Sequence, residues 1–165
     1  MSDQLGPFTH LNEAGEVHMI DVSDKEITSR MAVAEVEVVM SQSLADRFFA
    51  GDLPKGDAAA VARVAGISAA KKTSELIPLC HPLPLSGVEV SLERTGHGIR
   101  VLAKVRTDGR TGVEMEALTA ASIAALTIYD MVKGLEREVE ITNLRLLEKS
   151  GGRSGHWKRS DIVGD

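Results

Sequence analysis

Val88-Glu89-Val90-Ser91-Leu92-Glu93, then Gly96-His97-Gly98, then Ile99-Arg100-Val101-Leu102-Ala103-Lys104-Val105: the fold is decided in this stretch. Val88, Val90 and Leu92 alternate with polar residues, and so do Ile99, Val101, Ala103 and Val105, which is the period of half-buried strands. The glycines between them supply a tight turn, so the stretch reads as a β-hairpin. Downstream, Thr107 to Gly112 is a Gly-bearing loop, and Glu114 to Glu136 is an Ala- and Leu-rich helix, about 34 Å long at 1.5 Å per residue. Val139, Ile141, Leu144, Leu146 and Leu147 then offer one strand or two short ones.

Upstream of the hairpin, Ile77 to Leu85 holds Pro78, Pro82 and Pro84, so neither a helix nor a central strand persists through it and a rigid loop is expected. Before it, Asp57 can cap a helix running past Gly66 to about Leu76, with Gly66 marking a break or a close contact. Ser41 to Ala50 reads as a short helix closed by Gly51. Val33 to Met40 alternates, with Val36, Val38 and Met40 on one face and Glu35 and Glu37 on the other. The order is β-α-β-β-α-β. It predicts an α+β, ferredoxin-like βαββαβ fold, with helices on one face of an antiparallel sheet and the other face open.

One domain is expected over 1–165, comprising a flexible arm at 1–15, the core at 16–149 and a mobile polar tail at 150–165. The long helix carries Ala117, Ala120, Ala121, Ala124, Ala125 and Ile128 around most of its circumference, more than one sheet face covers, which predicts oligomers.

Composition narrows the function. Lys and Arg total 19 against 24 Asp and Glu, a net charge of −5, which argues against general affinity for nucleic acid or anionic membrane. The single Cys cannot form an internal disulfide and fits a reducing cytoplasm. No basic, apolar leader is read at Met1 to Asn12, and no stretch is read as approaching the roughly 18 apolar residues of a membrane span. The histidines at 10, 18, 81, 97 and 156 lack metal-ligand spacing, so no metal is expected. Gly66 to Thr73 lacks the second Gly of a P-loop.

Candidate chemistry lies in three places. Leu79-Cys80-His81 is presented between prolines; Cys80 could equally pack as a small apolar residue. Glu114 and Glu116 flank Met115 at the start of the long helix, where carboxylates also serve the helix dipole. Asp130 and Lys133 share a face near its other end, and apolar neighbours lead one to expect Asp130 partly buried. Glu116 and Asp130 stand about 21 Å apart along the axis, so one compact pocket cannot take both from one straight helix. Lys55, Lys71, Lys72, Arg110, Lys149 and Arg153 lie in or beside Gly-bearing loops and would suit a polyphosphate.

From about Phe8 to Lys158 a further set of stretches stands in order. They are Thr9-His10-Leu11-Asn12, His18-Met19-Ile20-Asp21-Val22, Lys55-Gly56-Asp57, Ile77-Pro78-Leu79-Cys80-His81-Pro82-Leu83, Thr111 to Ser122, Leu126 to Met131, and Leu146 to Gly152. Together they closely resemble the molybdenum cofactor biosynthesis protein C family. The resemblance implies a ferredoxin-like subunit in a homohexamer, a trimer of dimers with its sites between subunits. It also implies a phosphorus-oxygen lyase that converts (8S)-3′,8-cyclo-7,8-dihydroguanosine 5′-triphosphate to cyclic pyranopterin monophosphate and pyrophosphate, with no redox change and no cofactor. By the same resemblance Lys55, Asp130 and Lys133 are catalytic, and Leu79, Cys80, His81, Met115 and Glu116 bind substrate. Arg30 and Lys149 meet the triphosphate, and Glu114 orients the purine-derived ring. Two readings compete. One is a ligand-binding regulatory module on the same fold. The other is a magnesium-dependent pyrophosphohydrolase, for which Glu114 and Glu116, two apart on a helix, face different ways.

Overall fold

In the computed structural model, residues 11–12, 14–153 and 155–160 are described. Most of the expected N-terminal arm, with Thr9 and His10, and the end of the expected tail lie outside the described residues. The elements run β1 (Thr28–Val39), α1 (Gln42–Ala50), α2 (Ala58–Lys71), α3 (Thr73–Leu76), β2 (Leu85–Thr95), β3 (Gly98–Gly109), α4 (Glu114–Val132), β4 (Glu140–Ser150) and β5 (Trp157–Lys158). The sheet order is β2-β3-β1-β4-β5, and every pair is antiparallel. This is the expected α+β, ferredoxin-like arrangement, with the short β5 added at one edge.

The alternation read from the sequence sets the layers. Ala32, Ala34, Val36 and Val38 of β1 stand opposite Val105, Ala103, Val101 and Ile99 of β3, all buried beneath α4. Each such Val or Ile contributes about 1.5–3 kcal/mol of burial. On the opposite sheet face Glu35 is 1% exposed, its two oxygens taken at 2.6 Å by Arg100 Nε and Arg145 Nε. Charge-assisted hydrogen bonds from two guanidinium groups satisfy both of its oxygens in place of water.

Caps and breaks follow from local chemistry. Ser41 accepts from Leu44 N–H at 3.3 Å, Asp57 accepts from Ala60 N–H at 2.9 Å, and Gly51 closes α1 in the left-handed region. Gly66 turns out to mark a close contact within α2: a Cβ there would lie 3.0 Å from the Ala120 carbonyl and 3.0 Å from Val90. The helix expected to reach Leu76 stops instead at Lys71, where the Thr73 hydroxyl bonds back to the Ala70 carbonyl at 3.0 Å and α3 restarts. The long helix ends at Val132 rather than Glu136, with Lys133 as its cap and Gly134 beyond it. β4 is one strand, bulged where Asn143 (φ 56) breaks the register with β1.

Three expectations are corrected. The small residues of α4 do not await a partner: Ala117, Ala120, Ala121, Ala124, Ala125 and Ile128 are fully covered by the sheet and α2 of the same chain. By length and mean hydropathy (19 residues, 1.3), α4 does reach the size of a membrane span; its packing on β1, β3, β4 and α2 makes it the core helix. Part of the segment expected to hang as a tail is a strand. Trp157–Lys158 pairs with β4, Arg159 N–H donates to the Leu147 carbonyl at 2.8 Å, and the Arg159 guanidinium lies over the Trp157 ring.

Candidate active site

The proline loop carries one group to the first turn of α4. Cys80 N–H donates to the Ile77 carbonyl at 3.0 Å, and the buried Thr107 hydroxyl on β3 donates to the Pro84 carbonyl at 2.7 Å, so both ends of the loop are tied. Leu79, Cys80 and His81 thereby line a cavity of about 210 Å³ together with Glu114, Met115 and Glu116. All six were expected from the sequence. Ile20, Val22, Lys25, Leu83, Thr111 and Gly112 complete the lining. His81 Nε2 is 2.7 Å from the Ile20 carbonyl.

Electrostatics in this cavity follow from burial. Glu116 is 4% exposed; burial pushes its carboxyl above the ordinary carboxylate range, and the nearby Glu114 charge adds to the rise against its own backbone N–H. The Cys80 thiol is likewise pushed up by burial and then by Glu116, so at neutral pH it is a protonated, weakly polar group and not a thiolate nucleophile. Glu114 turns to Lys149, whose Nζ is 3.0 Å from its carboxylate.

Beside this cavity lies a second one of about 420 Å³, lined by Asp24, Lys25, Glu26, Thr28, Arg30, Gly152 and Arg153. Arg30 is fixed there, Nε donating to the Gly109 carbonyl at 2.9 Å and a terminal nitrogen to the Arg110 carbonyl at 3.1 Å. Its guanidinium packs where a Cβ on Gly152 would stand, and Gly152 also has φ +71, so two constraints select glycine. Lys25 borders both cavities. The sequence reading missed it: nothing in Asp24-Lys25-Glu26 differs from a solvated turn, and the tie from Arg110 Nε to the Lys25 carbonyl (2.9 Å), beside a bond from its own N–H to the Val22 carbonyl (3.0 Å), places it here.

At the other end of α4, Asp130 is the centre of a second group. Lys133 Nζ lies 2.7 Å from Oδ1, and Lys55 Nζ lies 3.1 Å from Oδ2 and 2.7 Å from the Asp130 carbonyl. Hydrogen bonds from Lys133 and Lys55 hold the Asp130 carboxyl below its usual range, and Asp130 in turn raises Lys133. The expected burial of Asp130 is corrected: its side chain is 56% exposed, because Ile128 and Val132 point to the core from other faces of the helix turn. The basic residues that would suit a polyphosphate if gathered are instead dispersed, the alternative of a scattered surface. Lys71 lines a groove beside β2, Arg110 holds Lys25, and Lys55 sits with Asp130. Among the described residues no group of three or more His, Cys, Asp or Glu could hold a metal ion.

The site residues thus fall into two groups on the two ends of one helix, about 21 Å apart by its rise. A family model described as the MoaC family matches residues 19–152. The chain belongs to the MoaC family. The matched span contains every residue of both groups, from Arg30 to Lys149. A cyclic pyranopterin monophosphate synthase of Corynebacterium efficiens is 54% identical over 153 residues, which is 93% of this chain and 99% of that relative.

Proposed function

We infer that this chain is a cyclic pyranopterin monophosphate synthase, a lyase of molybdenum cofactor biosynthesis that converts the cyclised dihydro-GTP to cyclic pyranopterin monophosphate and pyrophosphate. The observation that carries this is the 54% identity to a synthase along 99% of that relative's length. In our reading Lys55, Lys133 and Asp130 move the protons that open the purine-derived ring and close the pterin, with the ammonium groups donating and the carboxylate fixing both. Leu79, Cys80, His81, Met115 and Glu116 hold the ring system, and Glu114 orients it. Arg30, which lines the second cavity, and Lys149, which is paired with Glu114, meet the triphosphate. A ribose hydroxyl then attacks the nearest phosphorus; the new P–O bond forms as the bond to pyrophosphate breaks, and cations meet the charge on the leaving group.

Because the two groups are about 21 Å apart, each site takes the cavity end of one subunit and the Asp130 end of another, within a cytoplasmic homohexamer built as a trimer of dimers. Incubating purified protein with the cyclised dihydro-GTP and scoring pyrophosphate and pterin tests the reaction. Product from wild type but not from Lys133→Ala supports it; nucleotide binding without product supports a regulatory module instead. Mixing inactive Glu116→Ala and Lys133→Ala subunits tests the shared site. Recovered activity in the mixed hexamers supports it, and mixed hexamers without activity would overturn the shared site.

A further inference from the structure

We propose that the Ile20 carbonyl fixes the proton of neutral His81 on Nε2, and that Nδ1 is therefore the His81 atom that meets the substrate, as an acceptor of one of its N–H or O–H groups. A carbonyl oxygen can only accept, so the 2.7 Å contact requires a proton on Nε2. The tautomer protonated on Nδ1 would set two lone pairs against each other at that distance. Nδ1 has no hydrogen-bond partner among the described residues, and His81 lines the cavity with Cys80 and Glu116.

The carbonyl that makes this choice is itself held. Ile20 and Val22 form part of the cavity wall, and the segment is tied further along by Arg110 Nε on the Lys25 carbonyl. Residues 20–25 are thus a positioning strap for the histidine, acting on its ring through the Ile20 carbonyl. The two nitrogens then have separate tasks. Nε2 anchors the ring to the strap, and Nδ1 reads the ligand, discriminating a donor from an acceptor at that point of the bound ring.

The role of Nδ1 rests on the synthase reading, so the experiment has one arm that needs no turnover. In the full chain carrying ¹⁵N-histidine, two-bond proton–nitrogen correlation spectra at alkaline pH, with His81 assigned by its loss in His81→Gln, read which nitrogen carries the proton. A protonated Nε2 and bare Nδ1, with the Nδ1 resonance moving on addition of cyclised dihydro-GTP, is expected. A proton on Nδ1, a mixture of tautomers, or a shift confined to Nε2 would overturn the proposal. The second arm compares KM. Asn places a polar atom where Nδ1 stands, and Gln places its amide N–H where Nε2 stands. His81→Asn is expected to stay within about tenfold of the wild-type KM and His81→Gln to exceed it by more than about tenfold, the scale of one lost hydrogen bond. Equal losses, or the reverse order, would sink the role of Nδ1. If wild type forms no product, the synthase reading fails, while the spectra still decide the tautomer and the nucleotide contact.

Discussion

The two ends of α4 place a carboxylic acid in opposite circumstances on the same helix. Glu116, in the first turn, is buried among Cys80, His81 and Met115 and is pushed toward its neutral form. Asp130, near the last turn, is exposed between two ammonium groups and is held ionised. The helix dipole alone would favour the reverse, since anions gain about 0.3–1 kcal/mol at the N-terminus and cations gain at the C-terminus. Burial outweighs it at Glu116, and two paired lysines outweigh it at Asp130. One end is a partly buried cavity, while the other keeps its charged groups in contact with water.

The sharpest way to break this comparison is to remove a lysine from the exposed end. Lys133→Ala should lower turnover of the cyclised dihydro-GTP by about 10²–10⁴-fold, the usual worth of a positioned proton donor. Its melting temperature should stay near wild type, because exposed ion pairs contribute little stability. Activity and thermal melts on the same preparation check both halves; a large drop in melting temperature would mean that the lysine is structural.

At the buried end, Glu116→Gln should raise KM by about tenfold through loss of one charged contact. Its stability should depend on pH in a defined direction. A carboxyl whose folded value lies above its ordinary 4.5 binds its proton more tightly when folded, so its contribution is fully present below that value. That contribution is lost as pH rises through the folded value. Wild type should therefore lose stability relative to Glu116→Gln as pH rises from the ordinary 4.5 through the raised folded value. Melts of both proteins across that window check the sign, and a gap that widens in favour of wild type would contradict it.

The smallest effect sharpens the same point. Cys80 should react with iodoacetamide more slowly than a free thiol at pH 8, and the rate should rise a few-fold in Glu116→Gln, because the Glu116 charge is the second cause of the thiol's raised value. Alkylation followed by mass spectrometry reads both rates. No change in the variant would show that the carboxylate is not ionised beside the thiol.

Local periodicity made most of the fold legible. Val36 and Val38 against Glu35 and Glu37, the Gly96-His97 turn, the Ser41 to Ala50 helix and the Asp57 cap all point to elements that formed. Elements governed by distant contacts were not visible. β5 exists only because the β4 edge is there to pair with, and the break at Lys72, though local, lies at a Thr73 hydroxyl bonded back to the Ala70 carbonyl of α2, which periodicity does not show. A rigid loop and a helix start marked Leu79 to His81 and Glu114 to Glu116 as candidates, and the family resemblance, not local pattern, gave them a substrate-binding role; the fold brings both triplets to one cavity. Asp130 was misjudged because its neighbours in sequence are apolar, whereas its neighbours in space are Lys55 and Lys133. Lys25 gave no local signal at all, since its place depends on a bond from Arg110 to its carbonyl.

α4 also serves as a ruler. Both groups hang from one unbroken run, Glu114–Val132, so their separation and relative heading are set by the residue count between them. Adding or deleting a single residue inside that run would change the separation by only about 1.5 Å, but it would turn one group by about 100° relative to the other. Insertions and deletions in this gene should therefore be excluded from the stretch between Glu116 and Asp130.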